Sequence, residues 1–115
     1  MSLSHLPSVS ITGSGLFTPP ETITNAELVA SLTEATSKWN AEHAEQIAAG
    51  ELAERALPDE EFIVKASGIE RRHVMEKSGV LDPARMRPHL DTRAEDELGI
   101  QAEMSLPAID EALAQ

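Results

Sequence analysis

Cysteine and tyrosine are absent from the 115 residues, and aromatic residues make up only 3% of them. Without cysteine the chain can form neither disulfides nor thiolate metal sites, and it supplies no thiol nucleophile. With so few aromatic rings, aliphatic side chains must fill any core, and a hydrophobic content of 41% is enough to build one. A chain of this length corresponds to one domain or to a part of one.

Basic residues are also scarce, since 9 Lys and Arg stand against 20 Asp and Glu and give a formal net charge of −11. This balance repels nucleic acid and anionic membrane surfaces. No apolar run approaches the ~20 residues that a membrane span needs. The first residues do not combine a charged region with an apolar one, which argues against a secretory signal. We therefore expect a cytoplasmic protein without nucleic-acid or membrane partners.

The first regular element predicted is a strand over residues 8–13, where apolar and small polar residues alternate. Residues 1–7 are interpreted as a tail or a cloning scar. A Gly-x-Gly follows the strand, but Pro19 and Pro20 stand where a phosphate-binding helix would begin. A simple turn is therefore favoured over a dinucleotide site.

Residues 26–57 are predicted to form a helical, largely exposed arm. Thr24 and Glu27 have the spacing of a capping box at its start. One apolar face follows, formed by Leu28, Leu32, Ala35 and Trp39. A further helical turn or two is expected over residues 51–56, after Gly50. His43 has no nearby ligand partners and is interpreted as a surface residue.

Residues 58–74 predict a short helix, a stop and an extended exit. Asp59 can cap the helix, Phe62 and Ile63 can share an apolar face with Ala66, and Gly68 can end it in the left-handed conformation. A basic run follows in a second possible strand over residues 71–75. A helix with a basic exit makes a plausible wall for an anionic ligand, although most such elements are only structural.

The remaining residues predict a long loop and a C-terminal helical region. Residues 77–93 show no periodicity, and long loops are often functional. His73 and His89 flank this loop without the converging ligands that a metal site needs, so no metal or cofactor is expected. The chain is predicted to become helical from Ala94. Pro107 conflicts with an unbroken helix, so either the helix kinks near Glu103 or Ser105 caps a second helix.

Residues 8–13 would leave their backbone groups unpaired unless further strands exist. Each such group costs ~1–3 kcal/mol when buried. We therefore expect pairing strands from a continuing polypeptide or from a partner. The chain also lacks a recognisable nucleophile beside a base, because no serine stands in a Gly-x-Ser-x-Gly setting and the acids are scattered.

The order of these motifs resembles the N-terminal portion of the β-ketoacyl-acyl-carrier-protein synthase III family. The resemblance rests on five features in this order: residues 11–15, the two prolines, the Thr-Asn-x-x-Leu motif of residues 24–28, Phe62 with Ile63, and the Ser-Gly-Ile-x-x-Arg motif of residues 67–72 followed by His73. It covers most of the chain. Either of the two longer motifs alone would be unspecific, whereas the pair in this order is fairly specific.

The resemblance implies an α/β fold. Residues 8–115 would be the N-terminal segment of a thiolase-like layered αβαβα fold, incomplete by itself, with residues 26–57 as an inserted helical arm over the substrate entrance. It also implies a homodimeric acyltransferase of fatty acid biosynthesis, which joins an acyl-CoA to malonyl-acyl-carrier protein by decarboxylative Claisen condensation. The family's catalytic cysteine, histidine and asparagine would lie outside this segment, so none of the residues here is expected to be catalytic.

Three residues are implied to bind substrate: Phe62, Ser67 and Arg72. Phe62 stands where the family usually has a tryptophan that stacks on the adenine of coenzyme A, and Ser67 replaces a threonine. Ala66 departs from the pattern, because the family has there an arginine that contacts a phosphate of coenzyme A. Lys65, next in the chain, points about 100° away on a helix. The thioester contact could therefore be weaker or different.

Two alternatives remain open from the sequence. One is a related thiolase-fold acyltransferase that makes polyketide, signal or hydrocarbon precursors. The other is a non-enzymatic, acidic, helical interaction module that carries a similar pattern. In the enzyme interpretation the acidic carrier protein needs a basic docking surface. Since this segment offers few cations, we expect most of that surface elsewhere in the polypeptide.

Overall fold

The computed structural model describes residues 7–115, which fall into two compact units, Pro19–Asp91 and the combination of residues 7–18 with Thr92–Gln115. The structure is a mixture of helices and a small sheet. Its elements in chain order are β1 (Glu21–Thr24), α1 (Asn25–Glu42), α2 (Ala44–Ala48), α3 (Glu60–Ser67), β2 (Arg71–Val74), α4 (Ser78–Leu81) and α5 (Ile100–Leu113). None of the helices among these residues combines the length and apolar character that a bilayer crossing requires.

The unit Pro19–Asp91 is built on an antiparallel pair of strands, β1 and β2, whose register pairs Ile23 with Arg72 and Thr24 with Arg71. Ile23 is fully buried and is the hydrophobic centre of this unit. The strand predicted over residues 71–75 is confirmed. The partner strand, β1, was not predicted, because its four residues alternate too briefly to give a periodic signal.

Helix α1 begins directly at the end of β1 with the predicted capping box. The hydroxyl of Thr24 accepts from the backbone N–H of Glu27, and the Glu27 carboxylate accepts from the Thr24 N–H. Lys77 donates to the same carboxylate at 2.9 Å and to the Thr22 carbonyl at 3.2 Å. The hydrogen bonds from Thr24 and Lys77 lower the pKa of the Glu27 carboxyl, and the one from the Thr24 backbone N–H has the larger effect.

The arm is helical only up to residue 48. Gly50 adopts a φ of 76°, which a residue with a side chain rarely adopts, and residues 53–59 are irregular. The helical turn expected over residues 51–56 is therefore wrong. Side-chain contacts with α1 explain the irregular path of residues 53–57. The Arg55 guanidinium lies 3.7 Å from the centre of the Trp39 ring, in a cation–π contact. Asn40 also bonds both backbone groups of Arg55.

Helix α3 has the predicted ends. The Asp59 carboxylate accepts from the Glu61 N–H at 3.0 Å, and Gly68 closes the helix with a φ of 68°. The predicted apolar face is only partly used, since Ile63 is half-buried whereas Phe62 and Ala66 are exposed. Helix α3 therefore presents apolar surface to solvent in this structure.

The unit formed by residues 7–18 and Thr92–Gln115 contains one helix. Residues 8–13 form no ladder within the described part of the chain, and Val9 and Ile11 are 91% and 93% exposed. Their pairing with strands from elsewhere stays a prediction. The predicted tail lies outside the described residues except for Pro7.

Helix α5 starts at Ile100, later than the expected Ala94. Contacts of Arg93 account for the later start. Its guanidinium donates to the Leu98 carbonyl and pairs with the Glu103 carboxylate, and residues 95–97 between them form a turn. Pro107 lies inside a single continuous helix, so a second helix capped by Ser105 is wrong. The Ser105 hydroxyl instead donates to the Gln101 carbonyl within the same helix.

Two glycines allow residues 13–15 to approach the backbone of α5 closely. A Cβ added at Gly15 would overlap the carbonyl oxygen of Ala108, and one at Gly13 would overlap that of Ala112. The side chain of Gln115 adds hydrogen bonds to the Ser14 backbone. Glycine is therefore required here by space rather than by φ.

We expect Gly15→Ala to lower the stability of the full polypeptide by about 1–3 kcal/mol, the usual cost of overpacking. The matched control is Gly99→Ala, because no atom lies within 4 Å of a Cβ added there. Thermal melting of both variants measures the difference. Equal melting temperatures for the two variants would contradict the close approach of residues 13–15 to α5.

Candidate functional site

The candidate site is the outer surface of α3 together with its exit into β2. Phe62 is 68% exposed, and Val64 and Ile69 also expose much of their apolar surface. Large apolar side chains grouped on a surface commonly mark a ligand site or a contact with further protein. The exposed phenyl ring is therefore free to stack on a planar ligand.

Ser67 is occupied by contacts within its own helix end. Its hydroxyl donates to the Ile63 carbonyl at 2.7 Å and accepts from the Ile69 N–H at 3.2 Å. A hydroxyl has a single proton to donate, and phosphate oxygens at neutral pH only accept. To donate to a phosphate, Ser67 would have to release Ile63. In this state its clearest role is to fix the turn at Gly68.

Residue 66, where the resemblance implies an arginine, is an alanine and supplies no cation. Ala66 is exposed, and the neighbouring Lys65 forms an ion pair with Glu61 at 2.7 Å, one helical turn away. Exposed pairs of this kind contribute little to stability, so Lys65 remains able to change partner. The surface of α3 thus exposes a phenyl ring, and its one lysine is paired with Glu61.

Arg72 lies on the inner face of the ladder, opposite the buried Ile23. Its Nη2 donates to the side-chain oxygen of Asn25 at 3.0 Å. Its Nη1 is buried and has no hydrogen-bond partner among residues 7–115. Because this nitrogen is buried, a substrate could reach it only after a rearrangement. In this structure the guanidinium binds Asn25.

Asn25 is the residue that joins these groups, and it is only 6% exposed. Its side-chain Nδ2 donates to the Ile69 carbonyl at 2.7 Å, and its backbone N–H donates to the Glu70 carbonyl at 3.1 Å. A chain of hydrogen bonds therefore runs from Arg72 through Asn25 and Ile69 to Ser67. The structure joins two of the three predicted substrate-binding residues, whereas Phe62 makes no hydrogen bond in this chain of contacts.

Sequence reasoning did not assign a role to Asn25, although the residue belongs to the Thr-Asn-x-x-Leu motif. A signal was available, because an asparagine directly after a capping threonine is not needed for capping. Its partners Ile69 and Glu70 lie too far away in sequence to be read from local spacing.

The loop after β2 is held by the Glu76 carboxylate, which accepts from the Ser78 hydroxyl and from the backbone N–H groups of Gly79 and His89, at 3.0 and 2.7 Å for the last two. These hydrogen bonds lower the pKa of the Glu76 carboxyl to about 2 from its ordinary 4.5. The bond from Ser78 has the largest effect and the bond from His89 the next largest. Glu76 thus joins the start of the loop to its far side at His89. Among the described residues no three His, Asp or Glu side chains converge to hold a metal ion.

The clefts that border the arm are open rather than enclosed. One of about 600 Å³ lies between α1 and the irregular residues 54–57. Another, of about 410 Å³, lies between α1 and residues 83–86, with Leu32, Trp39 and Met86 in its wall. Trp39 stacks on His43 with ring centres 4.2 Å apart and carries Arg55 on its ring as well. These contacts leave the indole unavailable for stacking on a ligand.

Comparison with known proteins finds a relative of high identity over part of the chain. The chain is 51% identical over 76 residues to a β-ketodecanoyl-[acyl-carrier-protein] synthase of Pseudomonas aeruginosa. This match confirms the resemblance to the β-ketoacyl-acyl-carrier-protein synthases. The aligned region covers 66% of this chain and 22% of the relative, so the chain spans about a fifth of the length of the protein it matches. No model of a protein family matches the chain.

We expect the loop held by Glu76 to loosen in acid. A carboxylate whose folded pKa is lowered contributes stability above its ordinary pKa of 4.5, and this contribution is lost as the pH falls towards about 2. Hydrogen exchange of residues 77–89, followed from pH 6 to pH 3, should lose protection earlier than that of α1. In Glu76→Gln this pH dependence should disappear; if the variant titrates like the wild type, another group controls the loop.

Proposed function

We propose that this chain is the N-terminal part of a 3-oxoacyl-acyl-carrier-protein synthase III-like enzyme with a thiolase-like layered fold. The observation that carries the proposal is the 51% identity to a β-ketodecanoyl-[acyl-carrier-protein] synthase. The motifs at residues 24–28 and 67–72 support it independently, because the structure brings them into contact through Asn25.

The reaction is a decarboxylative Claisen condensation in fatty acid biosynthesis. An acyl-CoA transfers its acyl group to an enzyme cysteine and releases the coenzyme A thiol. The malonyl group on the carrier protein loses CO₂, and the resulting carbanion attacks the acyl-enzyme carbonyl. The products are a β-ketoacyl-carrier protein and the free cysteine. This chain has no cysteine, so the nucleophile belongs to another part of the polypeptide.

In this enzyme, α3 forms one wall of the acyl-CoA site. Phe62 supplies an exposed ring for the adenine, and Ser67 shapes the turn beside it. Arg72 stands behind these two as the cation that Asn25 contacts. Since Ala66 provides no charge for the phosphates, binding depends on stacking and on cations from other parts of the enzyme.

The exposed aliphatic surface supports a larger assembly. Val9, Ile11, Leu106, Ile109 and Leu113 all expose large apolar side chains, on a chain too short to cover them itself. We propose that the remainder of the enzyme polypeptide covers this surface and that the complete enzyme is a cytoplasmic homodimer. Burial of such side chains is worth about 1.5–3 kcal/mol each.

The decisive experiment is a condensation assay with the full-length polypeptide. Octanoyl-CoA is the first donor to test, because two carbons from malonyl would extend it to the decanoyl length in the relative's name. We expect release of coenzyme A and formation of a β-ketoacyl-carrier protein, both dependent on malonyl-acyl-carrier protein. Turnover of other acyl-CoAs in a donor panel, without formation of a β-ketoacyl-carrier protein from octanoyl-CoA, would instead support the related thiolase-fold acyltransferase.

The α3 wall can be tested by restoring the missing charge. We expect Ala66→Arg to lower the KM for octanoyl-CoA by roughly fivefold, since a charge-assisted hydrogen bond to phosphate contributes more than about 1 kcal/mol. Val64→Arg is the matched control, because a residue two positions away points to another side of the helix.

An acyl thioester of N-acetylcysteamine, which carries no phosphate, should show the same KM in Ala66→Arg and in the wild type. If Val64→Arg lowers the KM for octanoyl-CoA as much as Ala66→Arg does, the effect is a long-range attraction between the added charge and the phosphates rather than a direct contact. No change with Ala66→Arg would remove α3 from the coenzyme A site.

A further inference from the structure

We propose that Asn25 is a positioning residue for the acyl-donor site: its side-chain amide fixes the α3–β2 connection, and through it the α3 wall with Phe62 and Ser67. The proposed function enters only in the statement that this wall binds an acyl-CoA. The mechanical part of the inference depends on the geometry alone.

Asn25 contacts the connection with both ends of its amide and with its backbone. Nδ2 donates to the Ile69 carbonyl at 2.7 Å, Oδ1 accepts from Arg72 at 3.0 Å, and the backbone N–H donates to the Glu70 carbonyl at 3.1 Å. All three partners lie within the four residues that lead from Gly68 into β2. A side chain that is only 6% exposed exchanges such bonds with water poorly.

Apart from its contacts with α1, the α3 helix has few attachments to the rest of its unit. None of its residues is fully buried, and Ile63 is its only half-buried side chain. The polar contacts that hold α3 therefore lie at its exit turn. Ser67 continues the connection, because its hydroxyl accepts from the N–H of Ile69, whose carbonyl Asn25 binds.

Arg72 explains why an amide rather than a carboxylate or a hydroxyl suits this position. One end of the side chain must accept from a guanidinium and the other must donate to a carbonyl. A carboxylate has no proton to donate and a hydroxyl has only one polar atom, whereas an amide carries a separate oxygen and NH₂ group. The guanidinium in turn orients the amide, since the opposite orientation would place an NH₂ group against a cation.

The lead variant is Asn25→Asp in the full-length protein. It keeps the size and the contact with Arg72, and it replaces the donor to Ile69 by an acceptor. We expect the variant to fold, with α1 protected as in the wild type. Hydrogen exchange over residues 63–70 should become at least about fivefold faster, the effect of losing one buried hydrogen bond. Asn25→Ala, which loses both side-chain contacts, should show at least the same acceleration.

Asn40→Ala is the matched control on the same helix. Asn40 also uses both ends of its amide, but its partner is the backbone of Arg55 in the arm. This control should accelerate exchange around residues 53–57 and leave residues 63–70 unchanged. If residues 63–70 exchange within twofold of the wild type in both Asn25 variants, the inference is overturned.

Kinetics test the consequence for the substrate. In Asn25→Asp we expect the KM for acyl-CoA to rise about fivefold, with the KM for malonyl-acyl-carrier protein within twofold of the wild type. A purely structural weakening would lower both half-reactions together and would overturn the positioning role. If the wild type performs no condensation, the proposed function fails, whereas the exchange data still decide whether Asn25 holds α3.

Discussion

The antiparallel pairing of β1 with β2 is the constraint on which the unit Pro19–Asp91 depends. Strand β1 runs without a break into α1, because Thr24 is both its last residue and the N-cap of the helix. Strand β2 begins shortly after Gly68 ends α3. The register that pairs Thr24 with Arg71 therefore brings the start of one helix against the end of the other. A slip of one residue would turn Ile23 outward and separate Arg72 from Asn25.

Buried polar contacts, rather than a large hydrophobic core, hold the elements of this unit together. Ile23 is the fully buried large side chain of the described residues, while Asn25 and Ser31 are buried polar groups. Ser31 donates to the Leu81 carbonyl at 2.6 Å, and so fastens α1 to α4 as Asn25 fastens it to β2. Buried hydrogen bonds specify geometry well, but each contributes only about 1 kcal/mol of net stability.

Local signals in the sequence predicted the ends of elements well. The capping box at Thr24, the cap at Asp59 and the stop at Gly68 all depend on neighbouring residues and are present in the structure. Features that depend on distant contacts were missed or wrong: strand β1, the Asn25 contacts, the Arg55 contacts that replace a helical turn, and the Arg93 contacts that delay α5. The resemblance to condensing enzymes came from the order of motifs. The roles of Phe62, Ser67 and Arg72 stay predictions.

The environment of Trp39 gives the arm an optical property. The indole lies between the Arg55 guanidinium and the His43 ring, and it is the only tryptophan of a chain that has no tyrosine. Separation of residues 53–57 from α1 would remove the cation from the ring face and change the emission colour. The fluorescence of this segment therefore depends on the contact between Arg55 and Trp39.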